Sequence, residues 1–178
     1  MTVQGTAIIR QANPQACFHL GGRTLAEVQP DSSLGAQVSA FIRNRFVQCY
    51  GARPEVNVQT LLTLSRLPHH LAAAVGVRNA GLETLFLEHY LDAPIEQHVP
   101  ATLGCGRAAI AEIAHLAGVE PGVSRFLFPL MTVWLQERGY AWIAFTGTAQ
   151  LRNSFERMGI PTRKVASADP RRLPDGGL

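Results

Sequence analysis

The chain has 178 residues, 47% of them apolar and 16% charged, enough for one domain whose core closes without disulfide or metal staples, and too apolar for disorder. Sixteen basic residues against thirteen acidic ones leave a formal net charge of +3, too weak and scattered for a nucleic-acid binder but suited to an anionic cofactor such as a pyrophosphate. Lys164 is the only lysine, so arginine carries almost all of the positive charge.

The cysteines, Cys17, Cys49 and Cys105, are odd in number and form no C-x-x-C. That argues against a disulfide framework and a zinc site, and the expected home is a reducing cytoplasm, with no metal. The first residues, MTVQGTAIIRQANPQACFHLGG, lack the basic start and apolar run of a signal peptide. FLFPLMTVWL at 126–135 is half of what a bilayer crossing needs and contains a proline, so no membrane span is expected.

In chain order, Asp31, Ser32 and Ser33 precede Val38, Phe41, Ile42, Phe46 and Cys49 at three- and four-residue spacing. This predicts a helix ending near Gly51, with Arg43 and Arg45 on its flanks. Two strands are expected around Val56–Leu64 and Leu71–Val77, separated by the turn-like RLPHH. The polar stretch ETLFLEHYLDAPIEQHV follows at 83–99 and holds Glu83, Glu88, Asp92 and Glu96. Helical spacing would align the last three on one face, yet Pro94 forbids a continuous regular helix, and a solvated loop is the competing expectation. AAIAEIAHLAG (108–118) predicts a buried strand, GVEPGVSR (118–125) a loop, and Leu127, Leu130, Met131, Trp134 and Leu135 the apolar side of a helix stopping at Gly139. A strand at 140–146 and a helix closing on Gly159 complete an α/β order, with the strands 108–117 and 140–146 expected as parallel neighbours at the centre.

Three places carry candidate chemistry. GVEPGVSR lies where loop amides and a helix N-terminus hold phosphate oxygens, although ordinary strand-to-helix connections look the same and Pro129 should make the helix start late or kink. Glu112 is a carboxylate inside an apolar strand, so it must be paired, hydrogen-bonded or neutral. It is either a base for an amine or the structural partner of Arg78 or Arg107. His115 faces the other side of a regular strand unless a bulge intervenes, and a satisfied histidine is expected there. Thr146 and Thr148 sit at a strand end where ligands meet open α/β sheets, Thr148 also being the natural cap of the next helix.

AAAVGVRNAG, LFLEHYLDAPIEQHV, AEIAHLAG, GYAWIAFTGTAQLRNSFERMGI and ADPRRL resemble successive blocks of the thermostable hemolysin family, over about Leu34 to Pro174. LFLE-x-YLD-x-PIE is the most specific piece. That family is similar to N-acyltransferases of the GNAT type, especially acyl-homoserine-lactone synthases, whose strand, phosphate loop, helix, strand and helix follow the order of residues 108–160.

The resemblance implies a single GNAT-like domain over 1–178, with a variable segment 1–30, a tail 165–178 and a mixed sheet splayed beside the strand of Glu112. It implies acyl-CoA or acyl-phosphopantetheine as co-substrate, held by Leu116, Ala117, Gly118, Gly122, Val123, Ser124, Arg125 and Asn153. A small amine acceptor would meet Arg78, Glu88, Tyr90, Asp92, Glu96, Thr146 and Thr148, with Glu112 as the catalytic base. Phe126, Phe128, Met131, Trp134 and Trp142 would give room for a long acyl chain, and Arg43 and Arg45 would suit an acidic acyl-carrier protein.

The chain also departs from the family. Ala114 and His115 stand where a glycine and an asparagine are usual. Phe155 occupies the position of the tyrosine that many GNAT enzymes use as an acid. The aromatic W-G-x-Y-Y segment after ADPRRL is missing, which implies a truncated tail or a lost strand, and an exposed sheet edge or a partner such as a second copy covering it. The alternative from another class is a lipid-binding or membrane-lytic protein on a dead acyltransferase fold.

Overall fold

A computed structural model describes residues 15–66, 70–100 and 106–174. The chain is mixed α/β, with six strands forming one sheet in the order β1-β2-β3-β4-β5-β6. The strands are β1 (Gln15–Leu20), β2 (Arg23–Val28), β3 (Thr60–Arg66), β4 (His70–Asn79), β5 (Ile110–Gly118) and β6 (Trp142–Phe145); the helices are α1 (Ser33–Tyr50), α2 (Ser124–Glu137) and α3 (Ala149–Arg157). Residues gather into two compact units, the first built on the chain up to Arg78 together with Ile113–Tyr140, the second on Asn79–Glu112 with the chain from Ala141 on. Strand β5 contributes its first three residues, Ile110 to Glu112, to the second unit and the rest to the first.

In the first unit, β1 to β4 form an antiparallel meander. The amide of Val119 reaches Ala72 O at 3.0 Å, so β5 closes against β4. Strands β3 and β4 bury continuous runs, residues 61–64 and 71–77, instead of alternating, the pattern of strands covered on both faces. Helix α1 starts where Ser32 Oγ accepts the Gly35 amide at 2.9 Å and stops at Gly51, whose φ of 67° suits a residue without Cβ. Its apolar side, Leu34, Val38, Phe41 and Ile42, packs on Val28, Leu61, Leu71, Ala74 and Ala117. Helix α2 packs on β1 and β2. Trp134 donates to Glu27 at 3.3 Å, and Arg138 both pairs with Glu27 and lies over the Trp134 ring at 4.1 Å.

The helix expected after GVEPGVSR does not start late: it begins at Ser124, and Pro129 is its sixth residue. Pro129 is exposed, so water can satisfy the carbonyl its missing N–H leaves free. Phe128, Met131 and Trp134, from which room for a long acyl chain was expected, are 2%, 3% and 1% exposed and belong to the core.

In the second unit, the Ala141 amide bonds Ala109 O at 2.8 Å, so β5 and β6 set off side by side from neighbouring starts. The expectation that they are neighbours holds, but β6 stands last in the strand order and not at the centre. The core here consists of Ala80, Leu85, Leu87, Leu91, Ile95 and Ile110, with Val99, Trp142, Ala144 and Ala166 packed against it. Helix α3 is capped by Thr148, whose hydroxyl accepts the Leu151 amide at 3.3 Å, and it has no buried residue.

Candidate functional site

The acidic stretch of the second unit forms two short 3-10 turns, Phe86–Tyr90 and Ile95–His98, with Pro94 between them. Leu85, Leu87, Leu91 and Ile95 point into the core, and the carboxylates are left to deal with one another. Arg107, in the turn Arg107–Ala109, resolves this: Nη1 donates to Glu88 Oε1 at 2.7 Å and to Glu96 Oε2 at 2.6 Å, and Nη2 donates to Glu88 Oε2 at 2.6 Å and to the Glu83 carbonyl at 3.2 Å. Glu88 further accepts the amides of Leu85 at 2.7 Å and Ile95 at 2.9 Å. The Arg107 hydrogen bonds, opposed by burial and reinforced by the two amides, lower the Glu88 pKa to about 2. Asp92 pairs with Arg172 at 2.7 Å, and Arg172 also donates to the Leu91 carbonyl.

The polar stretch is therefore a clamp closed by one guanidinium. Helical alignment of Glu88, Asp92 and Glu96 does not occur, because the turns are 3-10 and interrupted. The clamp borders an open cleft of about 670 Å³ whose lining includes Glu83, Thr84, Asp92, Pro94, Glu96 and Arg107.

Glu112 is 2% exposed and is held by the same stretch. Its Oε2 accepts the Phe86 amide at 3.0 Å and its Oε1 the Leu87 amide at 2.9 Å, so the carboxylate meets the first amides of the 3-10 turn. Arg107 bonds Glu88 and Glu96, Arg78 Nε donates to the Asn57 carbonyl at 2.8 Å, and both Arg78 and Glu112 make further interactions. Tyr90 lies edge-on to Phe86 with ring centroids 5.8 Å apart, and burial together with the charge of Glu112 raises the pKa of its hydroxyl. Tyr90 and Glu112 thus share one neighbourhood.

In the first unit the loop after β5 is fastened at both ends. Arg45 Nε donates to the Gly118 carbonyl at 2.7 Å, which takes Arg45 off the free flank of α1. Glu120 pairs with Arg23 at 2.8 Å. The Arg23 and Arg125 guanidinium groups lie 4.5 and 5.2 Å from the centre of the Phe126 ring. Gly118 has no room for a Cβ, which would stand 2.9 Å from Val123 Cγ1. Gly122 has φ 69°, and the Arg125 guanidinium folds over it. The loop's own bonds use the amides of Val119, Val123 and Arg125, leaving those of Gly122 and Ser124 without a partner among the described residues.

His115, in the middle of β5, has φ 54°, the one positive value at a non-glycine among the described residues. The strand is irregular there, and the expected satisfied histidine is not found: Nε2 is buried and has no partner among the described residues. Burial, and then the charge of Arg78, lower its pKa to about 4, so the ring is neutral near pH 7.

A sequence model of thermostable hemolysins matches residues 28–177. The chain belongs to the thermostable hemolysin family. A search of curated proteins finds no match. Of the residues expected from the sequence to hold a donor, Leu116, Ala117, Gly118, Gly122, Val123, Ser124 and Arg125 lie at the end of β5 and the start of α2, while Asn153 lies on α3 in the second unit. Glu88, Tyr90, Asp92, Glu96 and Glu112 gather in the second unit, where Thr148 caps α3 and Thr146 is exposed. Phe155 packs on Phe145 with centroids 5.0 Å apart. Among the described residues no three His, Cys, Asp or Glu side chains converge as a metal site, and no helix is long and apolar enough to cross a membrane. The sequence does not reveal that Arg107 organises the acidic stretch or that Arg23 and Glu120 fasten the loop, because the spacings of 19 and 97 residues follow no local pattern.

Proposed function

We propose that this thermostable hemolysin relative is an N-acyltransferase that moves an acyl group from coenzyme A or a phosphopantetheine thioester to a small amine. One observation carries it: β5 is distorted at His115 and runs into a loop whose Gly122 and Ser124 amides are free among the described residues, at the N-terminus of a 14-residue helix beside arginines. Free amides, a helix dipole and Arg125 together suit the phosphates of such a donor. The amine arrives as an ammonium, and the cleft bordered by Glu83, Asp92 and Glu96 offers it carboxylates, of which Glu96, like Glu88, is paired with Arg107 and Asp92 with Arg172.

Glu112 remains the carboxylate best placed to influence an amine, either directly or by fixing the turn at Phe86–Tyr90. A mass-spectrometric screen of acyl-CoA and acyl-carrier-protein donors against a pool of amines tests the reading. An acylated amine formed only with active protein supports it, and no product from any donor, with no donor bound, overturns it.

A second reading, a lipid-binding or membrane-lytic protein, draws on the exposed Ile143, Met158, Ile160 and Val165 and on an α3 without buried residues. Dye release from lipid vesicles by the purified protein, with no acyl donor present, would favour it.

A further inference from the structure

His115 combines three features that a packing residue in a regular strand does not need. Its backbone is in the left-handed region, uncommon for a residue with a Cβ and concentrated at functional sites. Its Nε2 is closed off from water and meets no acceptor or donor among the described residues. Its ring is kept neutral by burial beside the Arg78 charge. A half-buried imidazole serving only as packing would have no need of the backbone distortion, since an apolar side chain in a regular strand fills the same space.

A neutral imidazole with a positive neighbour is a weak base but a good hydrogen-bond donor, and such a ring can polarise a carbonyl without giving up its proton. We propose that His115 donates from Nε2 to the carbonyl oxygen of the acyl thioester; this rests on the acyltransferase reading. The ammonium first gives one proton to water; as the neutral amine nitrogen then forms the C–N bond, the carbonyl π electrons move onto oxygen, and the Nε2–H bond and the Arg78 charge stabilise the oxyanion. Its collapse restores C=O and breaks C–S, and the thiolate leaves with the electron pair. The surplus proton on nitrogen passes to water and the thiolate takes one from water, so His115 begins and ends neutral. Because Nε2 is shut off in the free protein, the thioester must displace a neighbour to reach it. Phe46, edge-on to the ring at 6.0 Å and half-buried, is one such neighbour.

The test uses full-length protein and an acyl-CoA analogue in which methylene replaces sulfur, which keeps the carbonyl and cannot transfer the acyl group. Calorimetry compares it with coenzyme A, which has no carbonyl at that position, for the native chain and for His115→Gly, a substitution that removes the ring and tolerates the positive φ. The expected result is a loss of about tenfold in affinity for the analogue and none for coenzyme A. In ¹H–¹⁵N spectra the Nε2 resonance, assigned by its absence in His115→Gly, should shift with the analogue and stay put with coenzyme A. If the analogue binds and neither affinity nor resonance responds to His115, the inference is wrong and the acyltransferase reading stands. If the native chain binds neither compound, both fall.

Discussion

Replacing Glu88 with glutamine keeps the size of the side chain and removes its charge, so it isolates what the ion pair with Arg107 contributes. Glu88 is held at about 2 in the folded chain, below its ordinary value, so its stabilising contribution is present at neutral pH and is lost as pH falls from about 5 towards 2. At about 1.4 kcal/mol per pKa unit the whole shift corresponds to ~3 kcal/mol. The cleft is open to water beside Glu96, and screening reduces the expected loss to ~1.5 kcal/mol. Urea unfolding at pH 7 should therefore show Glu88→Gln less stable than the native chain by that amount, with the gap narrowed to about half by pH 3 and nearly closed only as pH approaches 2. A variant that loses nothing at pH 7, or whose deficit is the same at pH 3, would refute the view that a charged Glu88 holds the two turns together.

Arg107→Ala should cost more than Glu88→Gln, about 3 kcal/mol in the same unfolding assay, because it strands two carboxylates, Glu88 being only 9% exposed in its side chain. Glu112→Gln is not a silent probe of catalysis: both carboxylate oxygens accept amides, so the glutamine NH2 must oppose one of them, and a destabilisation of about 1–3 kcal/mol by thermal or chemical unfolding is expected whatever its effect on turnover. Gly35→Ala should destabilise by more than 1 kcal/mol, against the helix propensity that favours alanine, because the added Cβ would stand 2.2 Å from the Gln29 carbonyl oxygen; a gain in melting temperature would contradict that contact.

Much of the fold was legible because its signals are local. Ser32 and Gly51 bracket α1, Thr148 and Gly159 bracket α3, and Gly139 follows α2, each through a hydrogen bond or a positive φ that one residue type supplies. The neighbouring placement of β5 and β6 follows from a strand, helix, strand rhythm that periodicity reveals. Pro129 misled, since the pattern shows the missing N–H but not that the affected turn faces water. The candidate site divides the same way. The residue types of the β5–α2 loop and of the acidic stretch were visible, and Glu112 stood out as a charge in an apolar run. What Glu112 meets was decided only by the fold, because its partners are amides 25 and 26 residues away, and backbone amides look alike in every sequence. Arg107 became the counter-ion of Glu88 and Glu96 through tertiary proximity, and Phe128, Met131 and Trp134 became core because α2 packs on β1 and β2. The sequence determined where this chain bends, caps and hides apolar surface, which short-range sterics and solvation govern. Which charges neutralise which, and which histidine is strained, depend on distances that exist only once the strands have paired.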